Sequence, residues 1–281
     1  MTGLRTTLSC FDRIFSKAST DKYYLSVRLE PDGLFFSVYD PDLRKYIAFE
    51  SVLLAGVPEI YHYLSNHEVL NSSFRNSLCI VPSRKYTLMP EALFIPQRAE
   101  EYFNFVHSIE PGEELRNTTL LADDVRLIYA SNMAWFQIIK DHFKQAIVLP
   151  QVAAFIDYIV PRFRNTTLSA MFINLYDGYF DLLILDGGKL QFCNNFTYKT
   201  VEDLVYYTIF VIDQLKINVE KVELKLTGNI SPRQEELKLF RKYVKKVNVF
   251  EPANDVAVSY ALNGVNLSGY TDLFNPRLCE L

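Results

Sequence analysis

Two short runs rich in β-branched and aromatic residues, 23–29 and 33–39, are separated by Glu30-Pro31-Asp32. Proline presets φ and a glycine at Gly33 tolerates positive φ, so this step predicts a tight turn between two strands. Asp40-Pro41-Asp42 is a second turn, and the run 44–52 completes an antiparallel meander. Ile60, Tyr63 and Leu64 then share one face of a helix predicted over 58–67, and the apolar run 77–81 has the length of a buried strand.

The middle of the chain differs in texture. Pro82, Pro90 and Pro96 punctuate a loop-rich stretch before a helix near 98–107. A strand at 125–130, a helix at 133–143, a strand at 146–149 and a helix at 151–163 follow. This order predicts a small α/β subdomain at about 98–150, set inside a first unit of 1–165.

The opening pattern returns in a second unit, 166–281. Strands at 168–175, 179–185 and 189–196 flank the turns Asp177-Gly178 and Asp186-Gly187-Gly188. Thr200 with Asp203 three residues on resembles a capping box. The helix it starts is apolar nearly all round over 204–215, which predicts a place in the middle of the fold. A half-exposed strand at 221–226, a capped helix start at Ser231-Pro232-Arg233-Gln234 and a strand at 247–250 complete the unit. Asp32-Gly33-Leu34-Phe35, running to Asp40, aligns with Asp177-Gly178-Tyr179-Phe180, running to Asp186. So long a period is a domain duplication, not a solenoid.

Composition narrows the function classes. Over 281 residues, 49% apolar and 22% charged residues supply packed cores and no signature of disorder. A net charge of -4 offers no electrostatic case for nucleic acid. Cys10, Cys79, Cys193 and Cys279 form no CxxC pair, which predicts reduced, mostly buried thiols. His62, His67, His107 and His142 lack metal-ligand spacing. Residues 1–9 lack a signal-peptide core, and no stretch reaches the roughly 18 apolar residues of a membrane helix, so a cytoplasmic location is expected. Asp123-Asp124 is an acidic pair or a solvated loop, and the basic groups Arg241-Lys242 and Lys245-Lys246 are an anion site or a solvated helix end. In both cases the solvated reading is the ordinary one. No P-loop, dinucleotide, nucleophile-elbow or zinc-protease motif is present.

The order strand-strand-strand-helix-strand-helix-strand, twice over, resembles the duplicated ribonuclease H-like fold of the actin-like ATPases: two mixed sheets flanked by helices. The flavour is that of the pilus-assembly PilM and cell-division FtsA proteins, and residues 125–159 resemble the small subdomain of PilM-type proteins. The chain as a whole also resembles an uncharacterised bacterial family assigned this fold. Such ATPases bind phosphate with an Asp-x-Gly signature on each first hairpin. Here the first copy reads Val27-Arg28-Leu29-Glu30, with Arg28 at the Asp position and Glu30 at the glycine. The second reads Ile173-Asn174-Leu175-Tyr176, with Asn174 and Tyr176 in those places. Leu226-Thr227-Gly228-Asn229 keeps part of the adenosine-side Thr-Gly-Gly pattern.

The resemblance implies an interdomain cleft whose candidate cofactor-binding residues are Arg28, Asp32, Gly33, Asn174, Asp177, Gly178, Thr227, Gly228 and Asn229. Glu and Tyr add bulk where phosphate would sit, and both metal-water aspartates are replaced. The expectation is therefore no cofactor, with Mg-ATP disfavoured, no catalytic residue and no resident metal. A non-hydrolysing scaffold or adaptor whose partner is another protein is preferred. The alternative is a divergent nucleotide-binding ATPase. Arg28 either binds an anion in the cleft or pairs with Glu30 or Asp32, or reaches solvent from its strand.

Overall fold

After a short edge strand, β1 (Leu8–Phe11), a hairpin of two almost wholly buried strands seeds the first half of the molecule: β2 (Tyr24–Glu30) and β3 (Gly33–Asp40). The computed structural model describes residues 7–121, 124–231, 234–250 and 257–280. Gly33 does not adopt the left-handed conformation expected of it. A Cβ there would approach the Val52 carbonyl oxygen to 2.5 Å, so glycine is required by the close passage of the neighbouring strand.

The elements are β1 (Leu8–Phe11), β2, β3, β4 (Lys45–Leu53), α1 (Val57–Asn66), β5 (Asn76–Val81) and β6 (Lys85–Pro90). Then come α2 (Ala99–Asn104), β7 (Glu113–Thr119), β8 (Val125–Asn132), α3 (Met133–His142), β9 (Ile147–Pro150) and α4 (Gln151–Phe163). The second half has β10 (Ala170–Leu175), β11 (Tyr179–Asp186), β12 (Lys189–Thr197), α5 (Val201–Gln214), β13 (Glu223–Gly228), α6 (Glu235–Phe240) and β14 (Lys246–Val249). The chain ends with β15 (Ala257–Val258) and short helical turns at Leu267–Phe274 and Pro276–Glu280.

The duplication is visible in strand order. The first sheet contains β4-β3-β2-β5-β9, extended by β1 and β15 on β4, and the second is β12-β11-β10-β13-β14. In each, three antiparallel strands are followed by two parallel ones, so both have the order 3-2-1-4-5.

The sequence-drawn boundaries differ from these sheets in two places. The small sheet is β6-β8-β7 and spans 85–132, while β9 pairs in parallel with β5 of the first sheet. The 98–150 boundary left out β6, which lies in the proline-punctuated stretch expected to be loop, and no strand was expected at β7, where Glu113 to Thr119 is mostly polar and carries no apolar alternation. The C-terminal tail also leaves the second unit. β15 pairs with β4, and Leu262, Leu273, Phe274 and Cys279 pack into the core of the first half.

The central helix is α4, buried continuously from Gln151 to Val160, and not α5. Small residues at Ala153 and Ala154 let α4 be packed on all sides. In α5, Leu204, Val205, Thr208, Val211 and Ile212 are buried, whereas Tyr206 and Phe210 face solvent. Its capping box does form: the Thr200 hydroxyl accepts from the Asp203 amide, and the Asp203 carboxylate accepts from the Thr200 amide. Thr200→Ala is expected to lower stability by about 1 kcal/mol, measured as a shift in urea midpoint with unchanged slope.

At α6 the Ser231 hydroxyl accepts from the Glu235 amide and donates to Glu236, so Glu236 takes the part expected of Gln234. Pro232, Arg233 and Asp123 lie outside the described residues. In the basic stretch, Lys245 pairs with Glu220 at 3.0 Å and Arg241 donates to the Val247 carbonyl. Among the described residues no helix is long and apolar enough to cross a membrane.

Candidate functional site: the cleft between the two sheets

β2 and β10 occupy equivalent places in the two sheets, and the structure brings Arg28, Asn174, Thr227 and Gly228 together around one further element. That element is the C-terminal turn 267–274. Arg28, only 4% exposed, donates from Nη1 to Asp272 Oδ1 at 2.8 Å. The Gly269 carbonyl lies 3.4 Å from the same nitrogen. Arg28 Nε and Glu30 Oε1 approach to 3.0 Å as an ion contact, without the alignment of a hydrogen bond. The guanidinium also lies over the rings of Phe35 and Tyr270, 4.8 and 5.1 Å from their centroids. Burial disfavours its charge, but Asp272 and Glu30 more than offset this and hold its pKa above the ordinary value. A cation this far from water needs such partners. Glu30 was one of the partners foreseen for Arg28; Asp272, 244 residues away, was not.

On the other side of the turn, the Thr227 hydroxyl donates to the Ser268 carbonyl. Gly228 has φ +84°, and a Cβ there would collide with the Leu175 carbonyl oxygen and the Asn174 side chain. The Asn229 amide donates to the Leu175 carbonyl at 2.8 Å. Asn174, also buried, donates to the Tyr176 hydroxyl at 2.7 Å. Tyr176 stacks on Tyr179 with centroids 4.5 Å apart, and Tyr179 donates to Gln151 at the start of α4. Burial raises the pKa of both tyrosines, so they are neutral phenols.

The turn residues take a different place. Asp32 and Asp177 are exposed, Gly33 is buried against β4, and Gly178 supplies φ +76° for its turn. These four shape the hairpins and do not line the space around the Arg28 side chain. Among the described residues no group of three acidic, histidine or cysteine side chains could hold a metal.

A second buried polar cluster joins the small sheet to the second half. Asp181, on β11, accepts at Oδ1 from the Tyr86 hydroxyl at 3.0 Å and from Asn195 at 2.9 Å. Burial pushes its pKa up to about 6, the two donors holding it from rising further. The Cys193 thiol lies 3.6 Å from the Tyr86 hydroxyl and is itself pushed up, by burial first and then by Asp181. Sequence reading passed over this cluster, as it did Ser268, Tyr270 and Asp272. The one available signal was Asp181 itself, an acid amid the apolar run Phe180 to Leu185.

The family model for "Protein of unknown function (DUF3822)" matches residues 12–247. The chain belongs to this family. No curated protein matches the sequence. Among solved structures, a Bacteroides thetaiotaomicron VPI-5482 protein, described as having an actin-like ATPase fold and unknown function, is similar with a TM-score of 0.80 and 23% identity. The match covers 92% of this chain and 98% of that one. The PilM-PilN type IV pilus biogenesis complex also contains a similar chain, with a TM-score of 0.63 and 11% identity over 92% of this chain and 99% of that one. This member of DUF3822 therefore has the actin-like ATPase fold, in agreement with the duplicated sheet order.

Proposed function

We propose that the chain is a non-hydrolysing scaffold or adaptor of the actin-like fold, acting through contacts with another protein. One observation carries this reading: the chain's own turn 267–274 lies between β2 and β13, tied to Arg28 by Asp272 and to Thr227 by Ser268. Phosphate in that space would have to displace a buried carboxylate and then lie beside Glu30, which would repel it. Tyr270, whose ring lies 5.1 Å from the guanidinium, adds bulk there. The similar PilM chain is found in a complex with a protein, PilN, and this supports reading the fold as a platform for partners.

Thermal unfolding of the full chain with and without millimolar Mg-ATP tests the proposal. The expected result is an unchanged midpoint. A nucleotide at 100-fold its dissociation constant would stabilise by about 2.7 kcal/mol. A saturable rise of that kind would replace the scaffold with the divergent nucleotide-binding ATPase.

A further inference from the structure

Helix α5 departs from core character along one stripe. Tyr206 and Phe210 stand one turn apart with near-parallel rings, centroids 6.5 Å apart, and are 65% and 50% exposed. Tyr243, just after α6, is 52% exposed and with Leu239 forms the opposite wall of a groove of ≈ 480 Å³. The charged side chains lining it are both acids: Glu202 in the first turn of α5 and Asp213 in the last. An acid in the last turn opposes the helix dipole, so the stability of α5 does not account for Asp213. Nor does packing account for the aromatics, since α5 is anchored by its other face. Contiguous exposed aromatics of this size mark an interaction surface.

We propose that the groove between α5 and α6 docks a basic amphipathic helix of a partner protein. Its apolar face would lie on Tyr206, Phe210 and Tyr243, and Lys or Arg near each end would meet Glu202 and Asp213. The acids lie about 16 Å apart along the helix axis at 1.5 Å per residue, a span of three turns. One wall is α5 and the other the end of α6 with the turn after it, where the amides of Lys242, Tyr243 and Val244 are already paired, so an extended strand would find no ladder to join. The two acids, the charged side chains that line the groove, favour a cationic partner over an anionic one. This inference rests on the proposed reading that the chain acts through protein contacts, and it names the partner's chemistry.

The probe is a fluorescein-labelled 14-residue model helix of Ala and Leu, with leucines at i, i+3, i+4 and i+7 and lysines at both ends. It is titrated with the full chain by fluorescence anisotropy. Saturable binding is expected, weakened at least tenfold by Phe210→Ser and by the Glu202→Lys/Asp213→Lys pair, each checked for an unchanged circular dichroism melt. Replacing the peptide lysines by glutamates should weaken it as much. No binding, or binding indifferent to these changes, overturns the proposal. So does sedimentation showing a dimer of the parent that Phe210→Ser dissolves, since the occupant is then a second copy. Phe210-dependent flotation with phosphatidylglycerol vesicles overturns it in favour of lipid. A failed titration with no Mg-ATP shift removes the groove and leaves the scaffold reading standing. A Mg-ATP shift removes that reading, whatever the peptide does.

Discussion

Replacing Arg28 by methionine is expected to destabilise the protein by about 3–5 kcal/mol, the usual result of removing one partner from a buried ionic cluster. The change leaves Glu30 and Asp272 in the same buried space with no guanidinium between them. It also strips the faces of Phe35 and Tyr270 of their cation. The loss is read as a lower urea midpoint, with faster proteolysis within 267–274, because Asp272 is the main polar tie holding that turn to β2. Asp272→Asn is the informative companion. Its amide oxygen can still accept from Arg28 and from the Leu273 amide, and the remaining Arg28–Glu30 pair has no net charge. It should cost much less than Arg28→Met. If Arg28→Met falls within about 1 kcal/mol of the parent, the ionic tie is dispensable and the plugged cleft loses its main support.

Asp181→Asn should act in the opposite direction and raise stability at neutral pH. Burial disfavours the charge of Asp181 and pushes its pKa in the folded chain up to about 6, from an ordinary value of 3.8. A carboxyl whose folded pKa is raised favours the folded state most when protonated. Stability from this group is therefore greatest below about pH 4 and is lost as pH rises to about 6. Two pH units correspond to about 3 kcal/mol at neutral pH. Asparagine can still accept from Tyr86 and Asn195 at the same oxygen, so the hydrogen bonds survive and the ionisation cost does not. Urea unfolding between pH 4 and 8 should show the parent losing stability relative to the variant through that window, until the variant is about 2–3 kcal/mol more stable at pH 7.5. Parallel profiles for the two proteins would mean that Asp181 is not the buried, costly charge described here.

The two predictions concern different joints of one fold. Arg28 ties the first sheet to the C-terminal turn, and Asp181 ties the small sheet to the second half. Both bury polar groups away from water. Such groups are stable only while their partners stay in place.

Local chemistry along the chain determined a good deal by itself. Apolar runs of strand length, the Pro-Asp-Gly and Asp-Gly turns and the Thr200–Asp203 cap place most strands and α5, because those signals act within a few residues. The repeat of the hairpin pattern was enough to expect two like halves, and, through the resemblance to actin-like ATPases, Arg28, Glu30, Asn174 and Tyr176 were enough to expect Mg-ATP to be disfavoured. Tertiary structure alone decided which helix is central, since α4 and α5 are both strongly apolar and differ only in what packs against them. It alone sent the C-terminal turn back to the first half and set Asp272 against Arg28. Nothing in the neighbourhood of either residue encodes that pairing. A buried cation demands an acid, but only the folded chain determines which acid is close enough to answer.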